Sequence, residues 1–266
     1  MGYGIALHSI IPVRTEPREG AEQNTQMLFG ELCTIIEERP KWNYIRLEND
    51  GQEGWVDAKM ITPMSDDEYM RYTKACKTAG MVVFPMAYAM SENNGQTIPL
   101  TASTRLPDYH EGRFEVLGVG FRIDPSMVIT QPMELNQNNL MQTVRFFLNV
   151  PYLWGGKNAL GMDCSGFTQT VMRLFGRELF RNASEQAMQG QPVAALGEAQ
   201  AGDLIFFVHS PLTGTSQPIT HVGLVIDTER VIHCSGRVKV EKLDKTGIFN
   251  AEKGEYSHYL VQIRRV

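Results

Sequence analysis

Cys164, in the run Asp163-Cys164-Ser165-Gly166-Phe167, stands with His221 and His233 downstream as the set whose types and order could do chemistry. A thiol with one imidazole to take its proton and a second to hold that imidazole's tautomer is an oriented nucleophile, suited to cutting or transferring an acyl group. A free thiol ionises near about pH 8.5, and a helix N-terminus with a nearby imidazolium lowers that by several units, so a thiolate at neutral pH is expected here. Plainer uses exist for each residue: a lone cysteine in an apolar helix fills a core, and histidines in strands are commonly satisfied core or surface groups. A zinc set of Cys164, His221, His233 and Cys234 is the rival chemistry. Neighbouring strand residues face opposite sides, which keeps His233 and Cys234 from sharing one ion, so no metal or cofactor is expected.

The elements that must position these groups follow from periodicity and punctuation. Over residues 165–176 the apolar Phe167, Val171, Leu174 and Phe175 recur with the period of one buried helical face. Asp163 stands at the N-cap and Gly176 ends the pattern, so Cys164 falls in the first turn. Unpaired backbone N–H groups and the positive end of the macrodipole favour an anion there. The histidines lie in two strand-like stretches, residues 220–227 and 231–234, with 227–230 as the turn. Antiparallel pairing about that turn makes His221 and His233 near neighbours across the ladder. Asn138, Leu140, Val144, Phe147 and Leu148 mark a helix ahead of the cysteine, and residues 259–263 read as a C-terminal strand. Farther upstream, Ser65 and Glu68 resemble a capping box opening a short helix over 69–78. Linkers are expected at Pro63-Met64-Ser65-Asp66-Asp67-Glu68 and at Gln131-Pro132-Met133-Glu134.

Five blocks carry a resemblance: Pro151-Tyr152-Leu153-Trp154-Gly155-Gly156, Gly161-Met162-Asp163-Cys164-Ser165-Gly166-Phe167, Gly202-Asp203-Leu204-Ile205-Phe206-Phe207, His221-Val222-Gly223 and Ile232-His233. In this order, over about half the chain, they resemble the NlpC/P60 family of bacterial cell-wall cysteine peptidases. The resemblance implies an α+β, papain-like core in which a helix carrying the cysteine packs on an antiparallel sheet carrying the histidines. It implies Cys164 as nucleophile, His221 as general base and His233 as the polar third member. The implied reaction is hydrolysis of the bond between γ-D-glutamate and a diamino acid in peptidoglycan stem peptides.

Ahead of this unit, Trp42-Asn43-Tyr44-Ile45-Arg46-Leu47 followed by Asp50-Gly51-Gln52-Glu53-Gly54-Trp55-Val56 resembles the hairpin of a bacterial SH3 domain. Ile11-Pro12-Val13-Arg14 and Gly30-Glu31 fit the same small barrel, and residues 80–131 read as a second SH3-like barrel without the Gly-Trp-Val block. The expected organisation is thus an SH3-like domain over 1–63, a linker with a short helix over 64–79, a second barrel over 80–131 and the peptidase over 132–266. Members with such modules, like the dipeptidyl-peptidase branch, take peptides with a free N-terminal L-alanine, which implies murein peptides such as L-Ala-γ-D-Glu-diamino acid as partners. On that footing Asp163 has a second role besides capping, its carboxylate pairing with the substrate's α-amine, with capping alone as the alternative. Tyr152 donates toward the oxyanion, and Trp154 either walls the cleft or belongs to a buried structural turn. Ser165 and Ser184 are candidate contacts for the substrate carboxylate or diamino acid, Ser184 alternatively being an N-cap. Glu31, Glu53 and Tyr69 are candidates for a contact to the amine from the N-terminal modules.

The 266 residues exceed one usual domain, and 42% hydrophobic content allows sizeable cores. A net charge of -5 and a pI near 5.7 give no basic footprint for nucleic acid or anionic membrane. No apolar run is long enough to span a bilayer, and the first eight residues lack the charged and apolar regions of a signal peptide. The compartment stays open between the cytoplasm and, after removal of a signal, the cell surface. Cys33, Cys76, Cys164 and Cys234 form no close pairs or metal spacings. Two other classes fit the chain as sequence: a peptidoglycan-binding protein with an inert catalytic domain, and a papain-like amidase or acyltransferase.

Overall fold

Alternating apolar residues around an Asp-Gly turn give the hairpin of Trp42–Leu47 and Glu53–Asp57, paired from Trp42 opposite Asp57 to Arg46 opposite Glu53. In the computed structural model, which describes residues 2–211 and 218–266, this hairpin lies within a seven-stranded sheet. Its apolar face contributes Ile45 and Val56 to a core with Ile11, Val13, Met27 and Ile35. The chain divides into two units, Met1–Pro132 and Met133–Val266.

Within the first unit, helix α1 (Asp66–Ala75) is opened by a capping box between Ser65 and Glu68. Its buried Tyr72 donates a hydrogen bond to the Gly30 carbonyl, 2.9 Å away. Residues 80–129 contribute seven short strands to a four-stranded and a three-stranded sheet. Their Val82, Leu100 and Phe114 share one core with Ile5, Phe29 and Met64 of the preceding strands. The three candidate amine contacts are engaged inside this unit. Glu31 is buried and accepts from the Leu28 N–H, Glu53 accepts from the Tyr44 hydroxyl, and Tyr69 bonds Glu48 while stacking on Tyr3.

The second unit is α+β. Helix α2 (Gln137–Val144) precedes α3 (Cys164–Leu174), and α4 (Ala183–Gln186) is a single turn. These lead into an antiparallel seven-stranded sheet whose central strands are Glu255–Arg265, Leu204–Val208, His221–Asp227, Arg230–Ser235 and Arg237–Leu243, in that spatial order. Every residue of α3 is buried, with Phe167, Val171 and Leu174 fully so, and the helix packs on the His221–Asp227 and Arg230–Ser235 strands. On the other side of the sheet, Ile205, Phe207, Val225, Val231 and Ile263 form a separate cluster. Among the described residues no helix is long and apolar enough to cross a membrane.

Candidate active site

Cys164 opens α3 because Asp163 caps it: one carboxylate oxygen accepts from the Gly166 N–H at 2.7 Å. Gly166 is needed at this turn, since a Cβ there would lie 2.1 Å from the Gly156 carbonyl oxygen. The helix start therefore sits directly on the backbone of the Trp154-Gly155-Gly156 turn. The thiol also receives the backbone N–H of Val222, the residue that follows His221 on its strand.

Pairing of His221–Asp227 with Arg230–Ser235 sets Gly223 opposite His233, so His221 lies diagonally across from His233 on the same face. A Cβ on Gly223 would crowd the Cβ of His233 at 3.0 Å and Val231 at 2.7 Å. The two rings meet with His221 Nε2 2.7 Å from His233 Nδ1, and His233 Nε2 lies 2.8 Å from an oxygen of Glu241. Burial pushes the Glu241 carboxyl up, but hydrogen bonds from His233 and Lys239 more than offset it and hold the carboxyl down at about 2. Glu241 is therefore an acceptor at neutral pH. Burial lowers His233 against the opposing pull of Glu241, and lowers His221 well below the usual imidazole value, helped by the neighbouring His233 and His258. Two neutral rings and one carboxylate admit one consistent assignment of protons. His233 Nε2–H donates to Glu241, His221 Nε2–H donates to His233 Nδ1, and His221 Nδ1 is left bare to accept a proton.

The thiol itself departs from expectation. Burial, reinforced by the charge of Asp163, pushes Cys164 up to about 11, against the weaker pull of the Val222 N–H and Arg181. The free site thus holds a neutral thiol and neutral imidazoles, and the thiolate expected from the helix terminus alone is a minor species at neutral pH. Such a pair generates its nucleophile by proton transfer as attack occurs.

Two of the expected substrate contacts, Asp163 and Ser165, also hydrogen-bond within the protein. The buried Asp163 carboxylate takes a two-pronged bond from Arg181, with Nη2 at 2.6 Å and Nη1 at 3.0 Å, and accepts from the Gly155 N–H at 2.9 Å. Both oxygens serve to hold the turn, the helix and Arg181 together, which gives Asp163 a capping and anchoring role in the free protein. Ser165 is buried in the same network, accepting from Arg181 at 2.9 Å and donating to Asp163.

Tyr152, Trp154 and Ser184 do lie on the cleft, a cavity of about 620 Å³ also lined by His221, Cys234 and His258. Trp154 is 58% exposed, which makes it a wall and not a buried turn residue. Tyr152 is half-buried, and burial, with Cys164 and Asp163 nearby, raises its hydroxyl above the ordinary tyrosine range, so it keeps its proton as a donor. Ser184 sits exposed inside α4, whose N-cap is Asn182 with Glu185 completing a capping box. Cys234 points away from His233 and donates to the Met162 carbonyl at 3.1 Å.

Three participants were not expected from sequence: Glu241, Arg181 and His258. Glu241 follows His233 across the tight Ser235-Gly236-Arg237 hairpin, in which Lys239 pairs opposite His233, and the alternation Lys239-Val240-Glu241 was a usable signal.

Residues 149–260 match the NlpC/P60 family, and residues 13–61 match the bacterial dipeptidyl-peptidase Sh3 domain. The gamma-D-glutamyl-L-lysine dipeptidyl-peptidase of Bacillus subtilis (strain 168) is 30% identical over 223 residues, covering 79% of this chain and 71% of that protein. The protein of the same name from Bacillus cereus (strain ATCC 10987 / NRS 248) is 27% identical over 233 residues, 79% of this chain and 66% of its own length. In fold, the chain is similar to the crystal structure of an NlpC/P60 family protein from Bacillus cereus ATCC 10987, with a TM-score of 0.81 over 99% of both chains at 20% identity.

Proposed function

The chain belongs to the NlpC/P60 family, and from that premise we propose that it is a cysteine peptidase of peptidoglycan stem peptides, cleaving between γ-linked D-glutamate and a diamino acid in peptides with a free N-terminal L-alanine. The observation that carries this reading is the series Glu241, His233, His221 ending on a bare ring nitrogen, with the Cys164 thiol held on the N–H of the adjoining Val222. Cys164 Sγ adds to the γ-carbonyl carbon as its proton passes to His221 Nδ1. The imidazolium is steadied through His233 by Glu241. Tyr152 and the N–H groups at the start of α3 donate to the oxyanion. Collapse breaks the C–N bond, His221 returns the proton to the leaving amine, and a thioester remains. Water, deprotonated by His221, then releases the acid and the thiol.

Trp154 and Ser184 are the remaining substrate contacts in this scheme, supported by their places on the cleft. Residues 1–63 are read as an SH3-like domain and 80–131 as a second barrel of that type, supported by the short strands of each segment. The deciding experiment is mass spectrometry of L-Ala-γ-D-Glu-meso-diaminopimelate, its lysine counterpart and an N-acetylated copy, each incubated with wild type and Cys164→Ala. Release of L-Ala-D-Glu from the free peptides by wild type alone is the expected result. Cleavage of the acetylated copy at the same rate would remove the amine requirement. Cleavage of none, or turnover by Cys164→Ala, would overturn the proposal.

A further inference from the structure

The carboxylate at the outer end of the series Glu241, His233, His221 is shared. Lys239 Nζ lies 3.0 Å from Glu241 Oε2, the same oxygen that stands 2.8 Å from His233 Nε2. Strand register sets this up: Lys239 pairs directly opposite His233 and Glu241 follows two positions on, so the three side chains share one face of the sheet. The side chains of Lys239 and Glu241 are only 23% and 12% exposed, so their attraction is screened less than that of an open surface pair. With Arg237, Lys242 and Glu252 they line a cavity of about 230 Å³ that, among the described residues, has no lining residue in common with the cleft. Lys239 does not line the cleft, so any part it takes in the reaction runs through Glu241 and the rings.

A carboxylate beside His233 with no other partner would draw a second proton onto that ring. His233 as an imidazolium donates from both nitrogens, and its Nδ1 could no longer accept from His221 Nε2–H, 2.7 Å away. His221 would have to present a bare Nε2 to His233 and keep its proton on Nδ1, which leaves the thiol without an acceptor. A cation on the same carboxylate oxygen takes up part of the negative charge and opposes that second proton. We infer that Lys239 is a positioning residue of the reaction: by sharing Oε2 of Glu241 it keeps His233 a neutral ring whose Nδ1 accepts from His221. The assignment rests on the peptidase reading above. Burial first, and the charge of Lys239 after it, lowers His221, His233 and His258 toward their neutral forms, while Glu241 opposes both at His233 and His258. Further titratable or charged groups stand around the rings and the pair. His258 stacks on His221 with centroids 4.2 Å apart, His209 lies beyond it, Cys234 follows His233, Cys164 opens the helix packed on these strands, and Arg237, Lys242 and Glu252 surround the outer cavity.

The test is the pH profile of kcat/KM for cleavage of L-Ala-γ-D-Glu-L-Lys by wild type, Lys239→Met, Lys239→Gln and Lys239→Arg. Loss of the cation lets the rings hold a proton to higher pH, so the acidic limb of Lys239→Met should move up by about one pH unit, the effect of one partly exposed neighbouring charge. Activity on that limb then falls about tenfold and recovers on the plateau at higher pH, with KM little changed. Lys239→Gln keeps a donor to Glu241 without the charge and should show the same displacement, so it carries the test if Lys239→Met does not fold. Lys239→Arg should restore the wild-type limb. A limb that stays in place in Lys239→Gln, a loss equal at every pH, or a Lys239→Arg limb no different from that of Lys239→Met would overturn the inference and leave Lys239 a structural ion-pair partner. Cleavage of the peptide by none of the four proteins would instead overturn the peptidase reading. Nitrogen NMR of the histidine rings, recorded without substrate on ¹⁵N-labelled wild type and Lys239→Gln, then still decides the role of Lys239. His233 should show a bare Nδ1 at neutral pH in wild type and take up its second proton about one pH unit higher in Lys239→Gln. Rings that titrate alike in both proteins would refute it.

Discussion

At the scale of single residues, the site turns on how a neutral thiol becomes a nucleophile. Burial holds Cys164 at about 11, so at pH 7 the thiolate is a minor species and its population grows tenfold with each pH unit. Alkylation of Cys164 by iodoacetamide should therefore accelerate steadily from pH 6 to pH 9. A rate that levels off below pH 7 would reveal a preformed thiolate and imidazolium pair. The proton's destination sets a second expectation. His221→Ala removes the acceptor and should lower kcat by about 10²- to 10⁴-fold, the range of a lost general base. His233→Ala should cost less, because it only orients. Glu241→Gln leaves an acceptor for His233 Nε2–H but removes the charge, and should lower kcat about ten- to a hundredfold with KM little changed. A Glu241→Gln enzyme with full kcat would show that the carboxylate does not reach the reacting proton.

At the scale of elements, the nucleophile is held by a junction of helix, turn and arginine. Arg181, 1% exposed, reaches Asp163 and Ser165 at the start of α3 from the segment ahead of α4. Removing one partner of a buried ion pair leaves the other charge uncompensated, at a cost of about 3–5 kcal/mol. Arg181→Met should therefore lower the unfolding free energy by that amount, and adding Asp163→Asn should recover part of it. Denaturant unfolding of both variants decides, and an Arg181→Met protein as stable as wild type would show that water compensates Asp163. The same junction marks where sequence stops being informative. Helix α3, its Asp163 cap and the His221 and His233 strands are legible because periodicity and capping act over a few residues. Arg181 is not, since it lies 18 positions from Asp163 and nothing local marks it as buried. Glu241 depends on strand register, and His258 on the ordering of three strands. The state of the thiol is hidden for a related reason: a helix terminus is visible in sequence, whereas the burial that outweighs it belongs to the assembled sheet.

At the scale of the whole molecule, the buried histidines among the described residues, His221, His233 and His258, all fall in the second unit. The first unit has no buried histidine among its described residues, and its buried Cys33 and Tyr72 are shifted upward by burial, Cys33 to about 12, and so are indifferent to acid. This asymmetry predicts where acid acts. An unfolded chain charges its imidazoles as pH falls through 6.5, whereas burial holds His258 neutral down to about 3 and lowers His221 and His233 as well. Between those values the unfolded state binds more protons, so stability falls as pH falls. Glu241 adds to the loss lower down, its stabilisation being complete above 4.5 and lost as pH drops toward about 2. One imidazole held neutral contributes about 2 kcal/mol of destabilisation at pH 5, at about 1.4 kcal/mol per pH unit. Between pH 7 and pH 5 the unfolding midpoint of residues 133–266, followed by hydrogen exchange at the His221–Asp227 strand, should therefore drop well before that of residues 1–132. His258→Phe should make the drop shallower, because one proton-binding site is removed from the unfolded state alone. A midpoint that is flat over this range, or a slope unchanged by His258→Phe, would mean that the folded sheet already carries charge on these rings, and the neutral relay from Glu241 to His221 would have to be abandoned.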